Sequence, residues 1–239
     1  MRAVIIAGGK GRRLAPYTTV LPKPLMPVGD YSILEIVIRQ LKSYGFTHIT
    51  MAVGYLSELI RAVLDSHKNF GLEIDYSFEE KPLGTIGPLS LIDGLDDTFL
   101  VMNGDVLTTL DLRRLIKFHK DNRSVATVAT HNHEVSVAYG VITTNDRQEI
   151  VDYQEKPRTY YRVSMGIVLF EPEVMKHLRS NEHMNLPDFL LKLIAAKKKV
   201  MAYPSDGYWL DIGIPQEYAR AIEDFESDPG RFLPDLREQ

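Results

Sequence analysis

The sequence predicts an α/β fold with a mixed, mostly parallel central sheet and helices on both faces. Short apolar runs alternate with helical patterns through the first half of the chain, and this alternation indicates parallel strands joined by right-handed crossovers. The first apolar run, residues 3–6, leads directly into the glycine pair Gly8-Gly9, as expected of a central parallel strand. The second half is less regular and adds a predicted hairpin.

The first half contains four predicted strands separated by three predicted helices. The helix at residues 33–44 has apolar residues at helical spacing and stops at Gly45. The helix at residues 57–64 begins with a serine, a residue type that caps helix N-termini. The third helical stretch is short and ends near Ile92. The predicted strands cover residues 3–6, 48–53, 72–78 and 98–102.

The second half is predicted to hold five strands and four helices. The hairpin turns at Asn145-Asp146, between strands at residues 140–144 and 149–153. The other predicted elements are, in order, a helix at 111–120, strands at 124–130 and 164–170, a helix from Pro172, a helix at 186–196, a strand at 200–203 and a final helix at 215–225. We interpret residues 1–226 as one domain and residues 227–239 as a tail that is either mobile or an oligomer contact.

The composition excludes several classes of protein. The chain has 239 residues and a net charge of −4, so no overall basic field favours nucleic acid or a membrane surface. It has no cysteine, which excludes disulfides and thiolate sites and fits a cytoplasmic location. No run is long enough to span a membrane, and the N-terminal apolar run is too short for a signal peptide.

The loop after the first strand has the features of a phosphate-binding turn. It reads AGGKGRRL at residues 7–14 and is followed by Pro22-Lys23-Pro24. Glycines allow backbone N–H groups to approach phosphates, and Arg12, Arg13 and Lys23 add cations. The spacing matches neither the dinucleotide fingerprint nor the P-loop. A plain tight turn is the structural alternative, and the lysine held between two prolines argues against it.

Two aspartates are candidate metal ligands. Asp105 follows a buried strand in Asn103-Gly104-Asp105, at the end where open sheets bind ligands. Its oxygen could hold Mg²⁺ that also touches phosphate, and a capping role for Asp105 is equally compatible with the sequence. Asp211 lies between apolar residues in the segment that holds the single tryptophan, where a metal would offset the cost of burying a carboxylate. The alternative for Asp211 is a cap for the helix that begins near Pro215.

A fourth motif, Glu155-Lys156-Pro157, follows a predicted strand. Lys156 could bind a phosphate and Glu155 could accept hydrogen bonds from sugar hydroxyls, although such a segment taken by itself is more often a solvated loop. The seven histidines, including His131 and His133, form no convincing ligand set and are interpreted as surface or core residues.

Together these motifs resemble those of the sugar-1-phosphate nucleotidylyltransferases. GGxGxRL with PKP, PLGTxG, NGD, EKP and YWLDIG occur here in that family's order, from Arg2 to about Phe225. The stretches EEKPLGT at 79–85 and FLVMNGDVL at 99–107 resemble the mannose-1-phosphate guanylyltransferase branch most. The resemblance implies a Rossmann-like fold of the nucleotide-diphospho-sugar transferase type, which joins a nucleoside triphosphate to a sugar 1-phosphate and releases pyrophosphate. Many relatives carry a C-terminal β-helix, for which this chain is expected to be too short.

The resemblance also implies a role for each matching residue. Arg13 and Lys23 would neutralise the triphosphate during catalysis, and Asp105 and Asp211 would hold Mg²⁺. The nucleotide would be bound by Ala7, Gly8, Gly9, Gly11, Arg12, Glu79, Gly84, Thr85 and Asp105. The sugar phosphate would be bound by Gly140, Glu155, Lys156 and Ser164.

Glu79 suggests GTP as the nucleotide. A carboxylate only accepts hydrogen bonds, and guanine offers two adjacent donors, N1–H and N2–H₂, whereas uracil and thymine offer one donor between acceptors. The alternative is that Glu79 points to ribose or solvent. Ser164 stands where many relatives have Asn, so the sugar is open between mannose, a heptose, a modified hexose and a cyclitol. Arg12 stands where the family usually has Thr, as an extra phosphate ligand or a solvated cation.

Three other functions remain to be compared with this one. A glucose-1-phosphate uridylyl- or thymidylyltransferase would share the catalytic residues and differ in the pockets. A non-catalytic regulatory subunit that binds nucleotide sugar would be expected to lose catalytic residues, and here they are present. A dinucleotide-binding oxidoreductase would need a G-x-G-x-x-G turn, which is absent from the loop after the first strand. A homodimer is expected from base rates.

Overall fold

The computed structural model describes residues 1–66 and 70–233 and is built on a seven-stranded sheet. The strand order is β12-β8-β11-β6-β1-β4-β5. These strands are β1 (Arg2–Ala7), β4 (His48–Val53), β5 (Glu73–Phe78), β6 (Phe99–Asn103), β8 (Ala126–Ser136), β11 (Arg158–Phe170) and β12 (Val200–Ser205). Smaller pairs are β2 (Pro27–Val28) with β3 (Tyr31–Ser32), β7 (Val106–Thr108) with β13 (Trp209–Asp211), and the hairpin β9 (Val141–Thr144) with β10 (Ile150–Gln154).

The central sheet is mixed and mostly parallel, as predicted. Strand β11 alone runs antiparallel to both of its neighbours, β6 and β8, and the other four pairings are parallel. The carboxyl ends of β4, β1 and β6 therefore meet at one edge, where Gly54, Gly8 and Gly104 begin the following loops.

Helices cover both faces of the sheet. Helices α1 (Ile33–Ser43), α2 (Ser57–Ser66) and α3 (Leu112–Asn122) pack their apolar residues on one face. Helix α4 (Leu186–Ala195) and the 3₁₀ turns Gly87–Leu91 and Pro172–His177 pack on the other. Each helix follows its local signals, since Ser32 Oγ accepts the Glu35 N–H at α1 and Asp111 accepts the Arg113 and Arg114 N–H groups at α3. Ser57, which was predicted to cap α2, is instead the first residue of that helix.

A third cluster joins the end of the chain to the sheet. Helices α5 (Pro215–Ser227) and α6 (Pro229–Phe232) pack with β13 against the first residues of α1. Phe232 and Leu233 are each 1% exposed, and Gln40 Nε2 donates to the Phe232 carbonyl at 2.9 Å. Residues 227–233, which belong to the predicted tail, thus pack on the core through the stacking of Phe232 on Phe225, and the prediction of a mobile segment or an oligomer contact stays a prediction. Residues 234–239 lie outside the described residues.

Residues 131–164 form an arm that extends beyond the sheet. The outer halves of β8 and β11 pair from Thr130–Ser164 to Ser136–Arg158, and the hairpin β9–β10 lies between them in the chain. No residue of the arm is buried, and Tyr139, Ile150 and Tyr153 are among its exposed apolar side chains. Both strands are longer than predicted because they continue past the core, where apolar periodicity no longer reports burial.

None of the helices in residues 1–66 and 70–233 combines the length and the apolar character that a membrane crossing requires.

Candidate active site

The glycine loop after β1 is folded by its own contacts. Gly11 adopts a left-handed conformation, with φ 58°, and begins the 3₁₀ turn Arg12–Leu14. A β-carbon at Gly11 would lie 2.9 Å from Thr18 Cγ2, and Thr18 Oγ1 donates to the Gly11 carbonyl at 2.8 Å. Both the conformation and the space therefore require glycine at residue 11.

This loop borders a cavity of about 680 Å³ at the carboxyl edge of the sheet. A cavity of this volume is in the range of small-molecule sites. Its walls are the glycine loop, the end of β4 and the segment after β5. The lining residues are Ile6, Gly8, Gly9, Lys10, Gly11, Arg12, Gly54, Tyr55, Glu79, Glu80, Lys81, Pro82, Gly84, Thr85 and Pro88.

Glu79 is held in the wall of this cavity by backbone on two sides. Its Oε2 accepts the Leu83 N–H at 2.9 Å. Its Oε1 lies against Gly8, where a β-carbon would collide with it, and a β-carbon at Gly54 would lie 2.9 Å from the same oxygen. The two glycines thus make room for one fixed carboxylate.

The segment that contains Gly84 and Thr85 is braced by the loop before α4. The Met184 carbonyl accepts the N–H groups of Ile86 and Gly87, each at 3.0 Å. A β-carbon at Gly84, which has φ 80°, would lie 2.6 Å from that carbonyl oxygen. Thr85 lines the cavity, but its Oγ1 accepts the Leu186 N–H at 2.8 Å, so part of its hydrogen-bonding capacity serves α4.

A second cavity, of about 290 Å³, adjoins the first. The two share Ile6, Gly9, Gly11 and Arg12, so they form one continuous groove. The second is lined by Ile6, Ala7, Gly9, Gly11, Arg12, Arg13, Lys23, Pro24, Asp105 and Gly213.

Lys23 joins two acidic side chains in this second cavity. Its Nζ lies 2.5 Å from Asp105 Oδ2 and 3.6 Å from Asp211 Oδ1. The lysine is buried on the 3₁₀ turn Lys23–Leu25, which begins after Pro22. Burial raises the pKa of the Asp105 carboxyl above its ordinary value, the Lys23 ammonium opposes that shift, and the nearby Asp211 adds to it.

Asp211 reaches this place through a short strand that sequence analysis did not predict. Strand β13 pairs antiparallel with β7, and Asp211 lies opposite Val106, next to Asp105. The proposed cap at the start of α5 is made by another residue, because Glu217 Oε2 accepts the N–H groups of Gly213 and Ile214 at 2.9 and 3.2 Å. The structure thus excludes the capping interpretation of Asp211, and Asp105 likewise caps no helix, since Asp111 begins α3.

The two aspartates fit a hard divalent cation. Asp105 Oδ1 and Asp211 Oδ1 are buried oxygens without a hydrogen-bond partner in the part of the chain described here. Within residues 1–66 and 70–233, no three His, Cys, Asp or Glu side chains converge as a protein cage. Two carboxylates with open coordination positions are typical of Mg²⁺ sites that are completed by substrate phosphates and water.

Arg12 and Arg13 present unpaired cations to the groove. Both side chains are exposed, and neither forms an ion pair or hydrogen bond with another of the described residues. Arg13 lies against the Gly213 loop, where a β-carbon on Gly213 would be 3.1 Å from its Nη2. An arginine that is placed by packing but left without a partner remains available to an anion.

The four residues assigned to the sugar phosphate all lie in the arm or at its base. Lys156 is exposed and has a positive φ of 46°, which is a strained conformation for a residue other than glycine. Tyr153 Oη donates to Glu155 Oε2 at 3.0 Å, and a β-carbon at Gly140 would collide with that hydroxyl. Ser164 Oγ accepts the Gly166 N–H at 3.2 Å at a bulge of β11. Gly140 and Glu155 are thus brought together.

Sequence analysis missed several residues that line the groove. Gly54 and Tyr55 follow β4, whose carboxyl end lies beside that of β1. Tyr55 Oη donates to the Thr19 carbonyl at 3.1 Å and Lys10 Nζ lies 5.8 Å from the ring centre, so Tyr55 contacts both the glycine loop and the segment that follows it. Gly54 directly follows a predicted central strand, and a glycine at such a position is the sequence signal that could have identified this part of the groove.

Comparisons with known proteins agree with this geometry. The sequence profile of the nucleotidyl transferase family matches residues 2–228. The chain is 35% identical over 242 residues to the UTP–glucose-1-phosphate uridylyltransferase of Synechocystis sp. and 34% identical over 231 residues to a protein of Oryza sativa subsp. japonica named "Probable mannose-1-phosphate guanylyltransferase 1". Each alignment covers 93% of this chain, which spans 62% and 64% of the lengths of these relatives.

A solved structure agrees as well. A candidate glucose-1-phosphate thymidylyltransferase from Bacillus anthracis, solved with sucrose bound, is 26% identical and superposes with a TM-score of 0.71 over 93% of this chain and 94% of that one. The predicted fold class is confirmed by this likeness. The resemblance stated from the motifs is confirmed by the family match.

Proposed function

The chain belongs to the nucleotidyl transferase family, and we propose that it transfers a nucleotidyl group from a nucleoside triphosphate, GTP by preference, to a sugar 1-phosphate. Pyrophosphate and a nucleotide sugar are the products. The proposal combines the family with the charges of the groove, since the relatives named above act on three different pairs of substrates.

One observation carries the proposal, namely that the two cavities form one groove with different chemistry at its two ends. The larger end offers apolar walls and the fixed Glu79 carboxylate to a nucleoside. The smaller end offers the cations Arg13 and Lys23 to phosphates, beside Asp105, a proposed metal ligand. The glycine loop borders both ends, as a nucleoside triphosphate that runs from one to the other requires.

The reaction needs charge neutralisation more than proton transfer. An oxygen of the sugar phosphate attacks the α-phosphorus in line, and the bond from the α-phosphorus to the pyrophosphate oxygen breaks. The attacking oxygen is already ionised, so no general base is required. Arg13 and Lys23 reduce the repulsion between the two anions and hold the α-phosphate in place.

Asp105 and Asp211 are the residues that would hold a divalent cation, which we propose to be Mg²⁺ because both ligands are carboxylates. When bound, such an ion neutralises phosphate charge and polarises the α-phosphate. On each aspartate a buried oxygen without a hydrogen-bond partner among the described residues supports this assignment.

Glu79 supports guanine as the base. The Leu83 N–H occupies one of the lone pairs of Oε2, and a carboxylate has about four acceptor positions, so both oxygens keep capacity for N1–H and N2–H₂. A uracil or thymine carbonyl placed beside this carboxylate would instead meet another acceptor.

Lys156, Glu155, Gly140 and Ser164 are proposed to bind the sugar phosphate. Lys156 has no partner among the described side chains, and the Ser164 hydroxyl keeps its proton for donation while it accepts the Gly166 N–H. A serine at this position leaves mannose, a heptose, a modified hexose or a cyclitol as the acceptor. The cytoplasmic location and the homodimer stay predictions.

A uridylyltransferase acting on glucose 1-phosphate is the second candidate, favoured by the 35% identity to the Synechocystis enzyme. A regulatory nucleotide-sugar-binding subunit is disfavoured because Arg13, Lys23, Asp105, Asp211 and Lys156 are all present.

The deciding experiment measures pyrophosphate release with Mg²⁺ for ATP, GTP, CTP, UTP and dTTP, each against a panel of sugar 1-phosphates. We expect release with GTP and one sugar phosphate. Release with UTP and glucose 1-phosphate alone would replace the first candidate with the second. Nucleotide-sugar binding by calorimetry without any release would favour the regulatory subunit.

A further inference from the structure

Lys23 places one ammonium beside both candidate metal ligands. Its Nζ lies 2.5 Å from Asp105 Oδ2 and 3.6 Å from Asp211 Oδ1, so one ammonium serves both candidate metal ligands. Lys23 and Asp105 are largely enclosed, with side chains 10% and 22% exposed, so water screens their interaction weakly. Without the ammonium, the carboxylate of Asp105 would have that of Asp211, 40% exposed, as an uncompensated negative neighbour.

The Lys23 ammonium and a divalent cation held by the two aspartates would repel one another. An ammonium 2.5 Å from Asp105 Oδ2, in a partly enclosed site, lowers the affinity of the same pair of carboxylates for a second positive charge. Asp105 Oδ1 and Asp211 Oδ1 are buried oxygens without a hydrogen-bond partner among the described residues, so Lys23 leaves the acceptor capacity of the pair partly unused.

A bound nucleotide would give the Lys23 ammonium a second anionic partner. It lines the same cavity as Arg13 and the glycine loop, where the phosphates of a nucleotide are proposed to lie. A phosphate there would offer its ammonium a new anionic partner while a metal carried by the nucleotide met the aspartates.

We infer that Lys23 is an internal counter-ion of the two proposed metal ligands, which keeps Asp105 and Asp211 together in the free protein and leaves them for phosphate only when nucleotide binds. The free protein then binds divalent cation weakly, and the cation enters together with the nucleotide. This inference rests on the proposed function for the identity of the incoming ligand, and on the structure itself for the competition between Lys23 and metal.

The test measures Mn²⁺ binding to the full chain by electron paramagnetic resonance, first without any nucleotide. We expect Lys23→Met to bind Mn²⁺ about tenfold more tightly than the unaltered protein, or more, because a unit charge a few ångströms away is removed from a partly enclosed site. Lys23→Gln, which keeps a polar donor for Asp105, is the second variant in case the methionine variant does not fold, and we expect the same direction.

Lys117→Met is the matched control. Lys117 Nζ also lies close to an aspartate, at 2.6 Å from Asp121 Oδ2, but on the exposed surface of α3. The same substitution at Lys117 therefore makes the same change in net charge, and we expect Mn²⁺ affinity to stay as it was.

A second measurement adds a non-hydrolysable GTP analogue. With the unaltered protein and the analogue together, we expect Mn²⁺ to bind more tightly than it binds to the analogue alone. Mn²⁺ affinities in Lys23→Met and Lys23→Gln that equal or fall below that of the unaltered protein would overturn the inference. If the unaltered protein released no pyrophosphate with any substrate pair while these variants bound Mn²⁺ more tightly, the proposed function would be overturned. The competition between Lys23 and the metal would still stand.

Discussion

The carboxylate of Glu79 lies directly against the α-carbon of Gly8, so closely that a side chain at residue 8 would collide with Oε1. The two residues come from different strand ends, β5 and β1, and meet in the wall of the larger cavity. Their contact links the residue proposed to read the base to the loop proposed to bind the phosphates.

Gly8→Ala is expected to destabilise the free protein by about 1–3 kcal/mol, because the added methyl overlaps a carboxylate that is pinned by the Leu83 N–H. Gly9→Ala is the control, since a β-carbon at Gly9 meets nothing within 4 Å. Chemical denaturation of both variants measures the difference. Equal free energies of unfolding for the two variants would contradict the contact described here.

Glu79→Gln is expected to lower the preference for GTP over UTP by about tenfold to a hundredfold, because an amide replaces one of the two acceptors that guanine donors need. The ratio of kcat/KM for the two nucleotides measures it. Glu80→Gln, an exposed neighbour that lines the same cavity, should leave the ratio unchanged. A shift of similar size in both variants would mean that net charge alone sets the preference.

Arg13→Ala is expected to lower kcat about a hundredfold to a thousandfold, as removal of a group that stabilises developing charge does in other enzymes. Its melting temperature should barely change, since the guanidinium has no partner among the described residues. Arg12→Ala should lower kcat by a smaller factor than Arg13→Ala does. If Arg12→Ala lowered pyrophosphate release at saturating substrate as much as Arg13→Ala, the assignment of the two arginines would need to be exchanged or shared.

Lys156→Met is expected to raise KM for the sugar phosphate by about tenfold or more while KM for the nucleotide stays the same, because the lysine lies in the arm and not in the groove. Initial rates with each substrate varied in turn give both constants. A rise confined to the nucleotide KM would place Lys156 at the triphosphate instead.

His119 predicts how stability depends on pH. Its ring is fully buried, its Nε2 lies 3.0 Å from Glu171 Oε1, and burial lowers its pKa from the ordinary 6.5, with Glu171 opposing the shift. The unfolded chain therefore takes up the proton first, so this contribution to stability is present above pH 6.5 and is lost as the pH falls below it.

The variant His119→Gln should show a weaker fall in the free energy of unfolding between about pH 7 and 5 than the unaltered protein. For His133→Gln, at an exposed position of the arm, the free energy of unfolding should fall with pH as steeply as it does for the unaltered protein. A His119→Gln profile parallel to that of the unaltered protein would show that other groups carry this pH dependence.

The sequence predicted most of the sheet because its central strands are short apolar runs that end in glycine or asparagine. Strand β4 was predicted with its observed ends, and α1 and β6 within one residue at each end. The 3₁₀ turn Gly87–Leu91 was also anticipated as a short helical stretch. In each of these elements the burial of the apolar residues and the local backbone signals favour the same structure, so the local sequence pattern is sufficient to predict the element.

The sequence leaves roles undecided where long-range contacts decide the structure. The sequence alone allows Asp211 to be a cap or a metal ligand, and the pairing of β13 with β7, together with Glu217 at the start of α5, excludes the cap. Likewise, the packing of Phe232 follows from its stacking on Phe225 and from the hydrogen bond with Gln40, 192 residues earlier in the chain. A polar segment rich in Pro and Asp carries no local sign of such contacts.

The arm, residues 131–164, has a consequence for how such a protein can diversify. It contains no buried residue, whereas Glu79, Gly8 and Lys23 are held by the packed part of the fold. Most substitutions at exposed positions change the free energy of unfolding by less than about 0.5 kcal/mol. Most substitutions in the arm are therefore expected to be nearly neutral for folding, so changes at the residues proposed to bind the acceptor can accumulate there, while packing constrains the residues proposed to bind the nucleotide.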